Sequence, residues 1–274
     1  ILLCMNSFGY YAELLKKEYK IDTLFLNSTK SMDFKRLFYI RRIIKKEKVD
    51  LVHSWRYEAN MYAGIIKLIL PNLKWVSTER SAGPTNANSR IKIIEKFIMQ
   101  KSNIIITNSK AGINYLNKIL NIENEKICLI HNGLRKNDDK KTEIRREYNF
   151  SNNDFIISYI ANFHSYKNHL LLVKSVQKIL KTNNNIRLIC FGDGDRFQYI
   201  KNYIVDNGLQ KHIILKGKVE NPKKYLFDID IMVHVSRHEG LSNSILEGMS
   251  AGLPIIAFDV GGNSELVQNN VNGI

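Results

Sequence analysis

One stretch of the sequence decides the fold: residues 229–254 read IDIMVHVSRHEGLSNSILEGMSAGLP. Its first part, Ile229–Val235, is a short apolar run of the kind that forms a buried strand. Its last part, Asn243–Ala251, carries apolar residues at helical spacing and predicts a helix. Between the two, Gly240 relaxes the backbone, and Ser242 or Asn243 caps the helix. The stretch therefore predicts a strand, a turn and a helix, which is the repeating unit of an α/β fold.

The same alternation of strands and helices runs through the rest of the chain. Apolar residues at strand or helix spacing predict further elements. They include the strands Trp75–Thr78 and Phe155–Ile160 and the helices Asp33–Lys48, Asn60–Leu70 and Phe197–Asp206. This order predicts right-handed βαβ units and a parallel sheet. The charged stretch Arg135–Lys141 predicts a linker, after which the pattern restarts. We predict two Rossmann-like α/β domains that face a cleft, over residues 1–140 and 141–274.

Composition and cysteine usage narrow the class of protein. The 274 residues are 44% hydrophobic and 24% charged, which is typical of a soluble globular protein. No apolar run approaches the roughly 18 to 20 residues that span a bilayer, and no signal-peptide pattern is present. Cys4, Cys128 and Cys190 lie far apart in apolar runs, which predicts reduced thiols rather than disulfides. We expect a cytoplasmic protein whose natural chain extends beyond both Ile1 and Ile274.

The net charge of +15 is concentrated in the first half. Residues 1–150 hold 28 Lys and Arg against 15 Asp and Glu, whereas residues 151–274 hold 13 against 11. Seven cations surround an apolar stripe in the predicted helix Asp33–Lys48. Such a helix suits either the acidic inner face of the cell membrane or, alternatively, plain solvent. No nucleic-acid partner is expected, because the cations are not interleaved with a reading motif.

The turn before the predicted helix Asn243–Ala251 has the features of an anion site. It follows a strand of a parallel sheet, and ligands of open α/β sheets bind at the carboxyl ends of the strands. The free amides and the dipole of the helix attract phosphate, which assigns Gly240, Leu241, Ser242 and Asn243 to a diphosphate. Glu239 and Glu247 flank this turn and suit sugar hydroxyls instead. Spacing alone leaves open an ordinary strand–turn–helix with two surface glutamates.

Residues 239–247, EGLSNSILE, resemble the signature of glycosyltransferase family 4. Other segments resemble the same family: the continuation through Leu266, FGDG at 191–194, KNH at 167–169, IHNG at 130–133 and DLVH at 50–53. The resemblance implies the GT-B fold, retention at the anomeric carbon, no obligatory metal and no cofactor. It also implies a nucleotide diphosphate sugar as donor and a glycan or lipid-linked acceptor in bacterial surface polysaccharide biosynthesis. Glu239 would then contact the transferred sugar and Glu247 the ribose.

The resemblance implies three further positions. Lys167 would offset the charge of the leaving diphosphate, Gly192 belongs to a donor-side turn, and Arg80 would stand beside the acceptor or the transferred sugar. The chain departs from the family where Ala161-Asn162-Phe163 replaces the usual Gly-Arg-Leu. Asn162 can donate hydrogen bonds to the donor but carries no charge. Either the helix N-terminus and Lys167 then suffice for the diphosphate, or Arg237 or His164 supplies a second cation. The Asp-x-Asp spacings at 193–195 and 228–230 match a turn and the start of a strand, so no metal site is predicted.

Three other functions remain open from the sequence. A nucleotide-sugar epimerase of the same architecture would need a carboxylate and a histidine, and His131, His164 and His238 are candidates. A non-catalytic subunit that binds sugar nucleotides or glycans would explain the missing arginine. A dinucleotide-dependent oxidoreductase is disfavoured, because the near match at 192–197 lacks the third glycine of that fingerprint.

Overall fold

The computed structural model describes residues 1–5, 10–26, 33–81, 89–134 and 143–274. These residues form two compact units. The first contains Ile1–Glu79, Asn86–Thr107 and Tyr115–Cys128; the second contains Arg80–Thr85, Asn108–Asn114 and Leu129–Ile274. The predicted linker Arg135–Lys141 and the predicted boundary between residues 140 and 141 lie outside the described residues.

The first half of the chain alternates strands and helices as the sequence predicts. Its elements are β1 (Leu2–Cys4), α1 (Tyr10–Tyr19), β2 (Thr23–Phe25), α2 (Phe34–Lys46), β3 (Leu51–Trp55), α3 (Arg56–Ile69), β4 (Lys74–Glu79), α4 (Ser89–Met99), β5 (Ile104–Thr107), α5 (Lys110–Lys118) and β6 (Ile127–Leu129). One sheet pairs β1 with β2, and a second has the order β3-β4-β5-β6. Parallel registers join β1 to β2, β3 to β4 and β4 to β5.

The second unit is built on one parallel sheet. Its elements are α6 (Ile144–Glu147), β7 (Phe155–Ile160), α7 (His169–Ile179), β8 (Ile186–Phe191), α8 (Phe197–Asp206), β9 (Ile213–Gly217), β10 (Ile231–His234), α9 (Asn243–Ser250), β11 (Ile255–Ala257) and α10 (Asn263–Leu266). The strand order is β11-β10-β7-β8-β9, and every pair is parallel. The α/β class predicted from the sequence is confirmed.

This strand order places a switch point between β7 and β10. From β7 the chain adds β8 and then β9 on one side, and it returns to add β10 and then β11 on the other. In open α/β sheets the crevice outside such a switch point, at the carboxyl ends of the strands, is where ligands bind. The loops after β7 and β10 are therefore the expected position of a site in this unit.

Apolar layers cover both faces of the second sheet. Successive residues of a strand point to opposite faces, so Ile157 packs with α7 and α8 while its neighbour Ile156 packs with α9 and α6. Met232 and Val233 divide in the same way on β10. This two-sided burial explains why these strands appear in the sequence as continuous apolar runs. None of the helices that the structure describes is both long and apolar enough to cross a bilayer.

Candidate active site

Two predicted site residues meet at the switch point of the second unit. Lys167 ends a 3₁₀ turn, Ser165–Lys167, in the loop after β7, and Glu239 lies in the loop after β10. The Nζ atom of Lys167 donates to Oε1 of Glu239 at 2.5 Å. The two side chains are only 15% and 13% exposed, so this ion pair is largely withdrawn from solvent. Residues 72 positions apart thus form one charged pair.

The backbone of Lys167 is fixed by its neighbours. The hydroxyl of Tyr159 donates to the carbonyl of Lys167 at 2.6 Å. Asn168 adopts a left-handed conformation with φ 57°, and its amide donates to the carbonyl of Val235 at 3.0 Å. His169 is buried against aromatic rings, and burial lowers its pKa to about 4, so it is a neutral core residue. The turn that carries Lys167 is therefore tied to both β7 and the end of β10.

Glu239 receives a second hydrogen bond from a residue that the sequence analysis did not select. His234, the last residue of β10, is buried, and its Nε2 lies 2.8 Å from Oε1 of Glu239. Its Nδ1 lies 3.2 Å from the hydroxyl of Ser244 on α9. Burial alone would raise the pKa of Glu239, but the hydrogen bond from His234 and the charge of Lys167 outweigh it and lower the pKa to about 2. Glu239 is thus an ionised acceptor at neutral pH.

The start of α9 lies directly beside this pair in sequence. Ser242 is the N-cap, and its hydroxyl accepts from the amide of Ile245 at 3.4 Å. The remaining amides of the first turn have no partner within the helix, and they carry the positive end of its dipole. The four residues predicted to hold a diphosphate, Gly240 to Asn243, form the turn that leads from Glu239 into this helix end.

Arg80 reaches the same turn through Asn132. Its Nη2 donates to the side-chain oxygen of Asn132 at 2.7 Å. The amide of Asn132 in turn donates to the carbonyl of Leu241 at 3.2 Å and to the side-chain oxygen of Asn243 at 2.7 Å. The carbonyl of Arg80 also lies against Gly240, where a Cβ would overlap it. The structure therefore places Arg80 as a support of the turn Gly240–Asn243, a position the sequence analysis did not anticipate.

Asn162 and Gly192 lie at the ends of neighbouring strands. Gly192 follows β8 with φ +132°, and a Cβ there would overlap the carbonyl of Ala161. Only glycine permits this close approach of the two strand ends. Asn162 is exposed in the loop after β7, and its carbonyl accepts from the amide of His164 at 2.8 Å. Both residues therefore belong to the rim of the switch point that also carries Lys167.

The candidates for a second cation differ in their surroundings. His164 Nδ1 lies 2.7 Å from Oδ1 of Asp195, and the hydrogen bond with His164 lowers the pKa of Asp195. Arg237 is exposed, and its backbone amide donates to the carbonyl of Tyr166 at 2.8 Å, next to Lys167. Within the part of the chain that the structure describes, His164 has a carboxylate partner and the side chain of Arg237 has none. We therefore regard Arg237 as the better candidate.

Glu247 occupies a different part of α9 from the Glu239 cluster. It lies four residues after Asn243, and residues at this spacing share one helix face. Its side chain is half-buried, and burial raises its pKa. The nearby charge of Lys223 opposes this rise but does not cancel it. A partly desolvated carboxylate on the face of Asn243 is well placed to accept hydrogen bonds from a ligand at the helix start.

The three histidines of the epimerase hypothesis do not form one cluster. His131 lies 3.2 Å from Glu265 and His164 is paired with Asp195, while His238 is exposed. The histidine that contacts Glu239 is His234. Its signal in the sequence is a single polar residue inside the apolar run IMVHV, immediately before the turn.

Two family models together match nearly the whole chain. "Glycosyltransferase Family 4" matches residues 9–137, and "Glycosyl transferases group 1" matches residues 140–274. These matches settle the class of protein. The chain belongs to the group 1, family 4 glycosyltransferases, as its resemblance at residues 239–247 predicted.

Relatives among known proteins agree with this assignment. An uncharacterized glycosyltransferase of Methanocaldococcus jannaschii, MJ1607, is 26% identical over 247 residues, which cover 85% of this chain and 63% of MJ1607. The UDP-Gal:alpha-D-GlcNAc-diphosphoundecaprenol alpha-1,3-galactosyltransferase of Escherichia coli is 26% identical over 295 residues, covering 99% of this chain and 74% of that protein. The chain thus spans less than two thirds of the length of MJ1607.

The fold recurs in solved structures. Anabaena Alr3699/HepE in complex with UDP matches with a TM-score of 0.81 at 19% identity, covering 100% of this chain and 77% of that protein. At this identity the likeness concerns the fold alone. It confirms the GT-B fold class that the sequence resemblance implied.

Proposed function

We propose that the protein is a retaining glycosyltransferase that moves a sugar from a nucleotide diphosphate donor to a glycan or lipid-linked acceptor. The observation that carries this proposal is the Lys167–Glu239 pair at the switch point, beside the start of α9. A diphosphate sugar needs positive charge for its phosphates and an acceptor for its sugar hydroxyls. This part of the second unit offers both, with Nζ of Lys167 2.5 Å from Oε1 of Glu239.

Each group at the site fits one part of such a donor. The diphosphate would lie against the amides of Ser242 and Asn243 and the ammonium of Lys167. Glu239, ionised because its pKa is about 2, would accept from hydroxyls of the transferred sugar. Glu247 would accept from the ribose diol. Donor binding would thus give each buried charge a new partner, which avoids leaving either one desolvated and unpaired.

In the proposed reaction, negative charge would develop on the diphosphate, next to Lys167 and the start of α9. The bond between the anomeric carbon and the diphosphate oxygen breaks, and a bond from that carbon to an acceptor hydroxyl oxygen forms on the same face. The acceptor proton passes to the departing diphosphate, which serves as the base. Negative charge grows on the diphosphate as its bond breaks, so preplaced donors such as Lys167 lower the barrier. The tied backbone of Lys167 supports this role, because a preorganised cation needs no rearrangement during the step.

The names of two similar proteins suggest the first substrates to test. HepE was solved with UDP, and the E. coli relative is named for UDP-Gal and for a diphosphoundecaprenol-linked acceptor. We therefore expect a uridine diphosphate sugar as donor and a lipid-linked diphosphate sugar as acceptor. Such an acceptor would place the protein at the cytoplasmic face of the membrane.

Transfer should continue in EDTA. In this proposal the ammonium of Lys167 and the start of α9 would offset the diphosphate charge in place of a metal. The measurement is product formation from UDP-sugars and a lipid-linked acceptor, with the anomeric configuration read by NMR. Loss of transfer on chelation with recovery on adding manganese or magnesium would contradict the metal-free site, and an inverted product would contradict retention.

Glu247→Ala should weaken binding of the free nucleoside diphosphate about ten- to a hundredfold. Losing a charged acceptor for a hydroxyl pair corresponds to roughly 1.5–3 kcal/mol. Calorimetry with UDP measures this directly, because no sugar is present for Glu239 to contact. The matched control is Glu143→Ala, whose side chain is 69% exposed in the same unit. Unchanged affinity in Glu247→Ala would reduce Glu247 to a residue of the helix surface.

A nucleotide-sugar epimerase is the second candidate, because His234 and Glu239 form a buried histidine–carboxylate contact. The two functions separate in the absence of acceptor. An epimerase interconverts the donor sugar without acceptor, whereas a transferase leaves it unchanged or hydrolyses it slowly. A protein that binds UDP-sugars yet neither interconverts nor transfers them would instead be a non-catalytic binding subunit.

A further inference from the structure

We propose that the first unit docks on an anionic lipid bilayer through the outer faces of α2 and α4. The two helices supply independent observations, and both consist of side-chain exposures that the sequence does not give.

Helix α2 presents aromatic and basic side chains on one exposed face. Phe34 and Phe38 are each 73% exposed, which is unusual for side chains of this size. Positions 34, 38 and 42 follow one another at a spacing of four residues, so Arg42 continues the same face, and Lys45 and Lys46 end it. None of the thirteen residues of α2 is acidic, and the C-cap Glu47 pairs with Lys46 at 3.1 Å. Aromatic residues combined with Lys and Arg are the pattern of helices that lie in a membrane interface.

The opposite face of α2 fixes the helix in the unit. Leu37, Ile40 and Ile44 pack into an apolar cluster, as the predicted stripe required. Arg36 is one of the seven cations that the sequence places around the apolar stripe. Its side chain is not on the surface: it is 2% exposed and pairs with Glu58 at 3.0 Å. It lies inside because the Glu58 carboxylate at the start of α3 offers it a partner. The exposed face therefore stands on a well-anchored helix, with Arg36 contributing to the fold rather than to docking.

Helix α4 repeats the combination on a neighbouring element. Ile93 is 66% exposed and Phe97 is 51% exposed, and Ile94 is exposed beside them. Lys92 and Lys96 lie half-buried between these apolar residues. Helix α3 contacts both α2 and α4, so the three belong to one helical layer. Two members of one layer thus expose large apolar side chains together with cations.

The charge of the first unit and its exposed aromatic rings together favour an anionic bilayer over other partners. The first 150 residues carry 28 cations against 15 acidic residues, so a surface of opposite sign is the complement. A nucleic acid would satisfy the cations but offers no apolar phase for Phe34 and Phe38. An anionic bilayer offers headgroups for the cations and an acyl boundary for the aromatic rings. A lipid-linked acceptor would be held at the same surface.

Cosedimentation with phosphatidylglycerol–phosphatidylcholine vesicles tests the proposal, with phosphatidylcholine vesicles as reference. The full chain should bind the anionic vesicles, more tightly at low than at high salt. Arg42→Gln/Lys45→Gln/Lys46→Gln should bind roughly a hundredfold more weakly, at about fivefold for each near-surface cation. Phe34→Ser/Phe38→Ser should keep most binding at low salt and lose what remains at high salt. The control Lys178→Gln/Lys181→Gln/Lys201→Gln removes the same charge from exposed sites of the second unit and should bind like the unmodified protein.

Four outcomes would overturn the proposal. They are no binding of the unmodified protein at low salt, equal losses in the control variant, high-salt binding that survives Phe34→Ser/Phe38→Ser, and equally tight binding to DNA that ignores these two substitutions. Thermal unfolding verifies that each variant folds, which the exposure of all the substituted side chains favours. Vesicle binding needs no donor or acceptor, so its failure would leave the proposed sugar transfer untouched, and the reverse holds too.

Discussion

Glu239→Gln is expected to lower the turnover of sugar transfer about a hundred- to a thousandfold, the range for removing one preorganised group that acts in the transition state. The amide keeps the shape of the side chain and can still accept from His234 at 2.8 Å, so the loop should remain in place. It removes the negative charge that faces Lys167 and, in the proposed donor complex, the sugar. Because the proposed position of the diphosphate lies elsewhere on the turn, the dissociation constant of UDP should change little. The signature is a fall in kcat that exceeds any rise in KM.

Glu143→Gln is the matched control, since it makes the same change at an exposed carboxylate of the second unit. Wild-type turnover in Glu239→Gln would end the assignment of Glu239 to the sugar. Stability gives a second readout. The pKa of Glu239 is lowered from 4.5 to about 2, so its ionised form stabilises the fold above pH 4.5, and this contribution is lost as the pH falls towards 2. Glu239→Gln should therefore flatten the pH dependence of thermal unfolding in that range.

Apolar periodicity was sufficient to predict most elements of the fold. The predicted bounds of β7, Phe155–Ile160, and α8, Phe197–Asp206, agree with the structure, because each has a buried pattern of the right period. Helix α3 begins at Arg56 rather than at the predicted Asn60. Its first turn is exposed or half-buried and mostly polar, so it carries no apolar pattern to detect.

The strand before the decisive turn is shorter than predicted for a different reason. The sequence predicts Ile229–Val235, whereas β10 covers Ile231–His234. Asp230 interrupts the apolar run, and its carboxylate accepts from the amide of Ile156 at 2.7 Å and from Arg145 at 3.0 Å. A side chain thus takes the place of a backbone partner at the start of the strand. Periodicity alone cannot distinguish such a replacement from a continued strand.

The site was predictable only where one short segment contains its residues. The turn from Gly240 into α9 could be read from its cap and its glycine. The contact of Arg80 with Asn132 depends on how separate loops meet, and the contact of His234 with Glu239 depends on how the chain turns back after β10. A histidine in an apolar strand looks like a core residue, and an asparagine in a loop has no periodicity. These two positioning contacts therefore required the structure.

Lys167→Met is expected to lower kcat/KM about a hundred- to a thousandfold, like Glu239→Gln, but with a different pattern. Methionine keeps the apolar stem of the side chain and removes the ammonium. Since that ammonium would face the diphosphate in the bound donor, UDP affinity should fall about ten- to a hundredfold, while the affinity for uridine stays unchanged. Calorimetry with the two ligands measures the difference. Lys178→Met, at an exposed site on the same loop's following helix, is the control. Equal UDP affinity in Lys167→Met and the wild type would remove Lys167 from the phosphate site.

The double variant Lys167→Met/Glu239→Gln then tests whether the two residues act as one unit. Their side chains are 2.5 Å apart and largely buried, and effects at contacting positions do not add. Each single variant leaves a desolvated charge without its partner, whereas the double variant leaves neither. We therefore expect the double variant to unfold at a higher temperature than either single variant, while its loss of turnover is smaller than the product of the two single losses. Losses that multiply would mean that Lys167 and Glu239 serve the donor independently and that their ion pair has no role in the reaction.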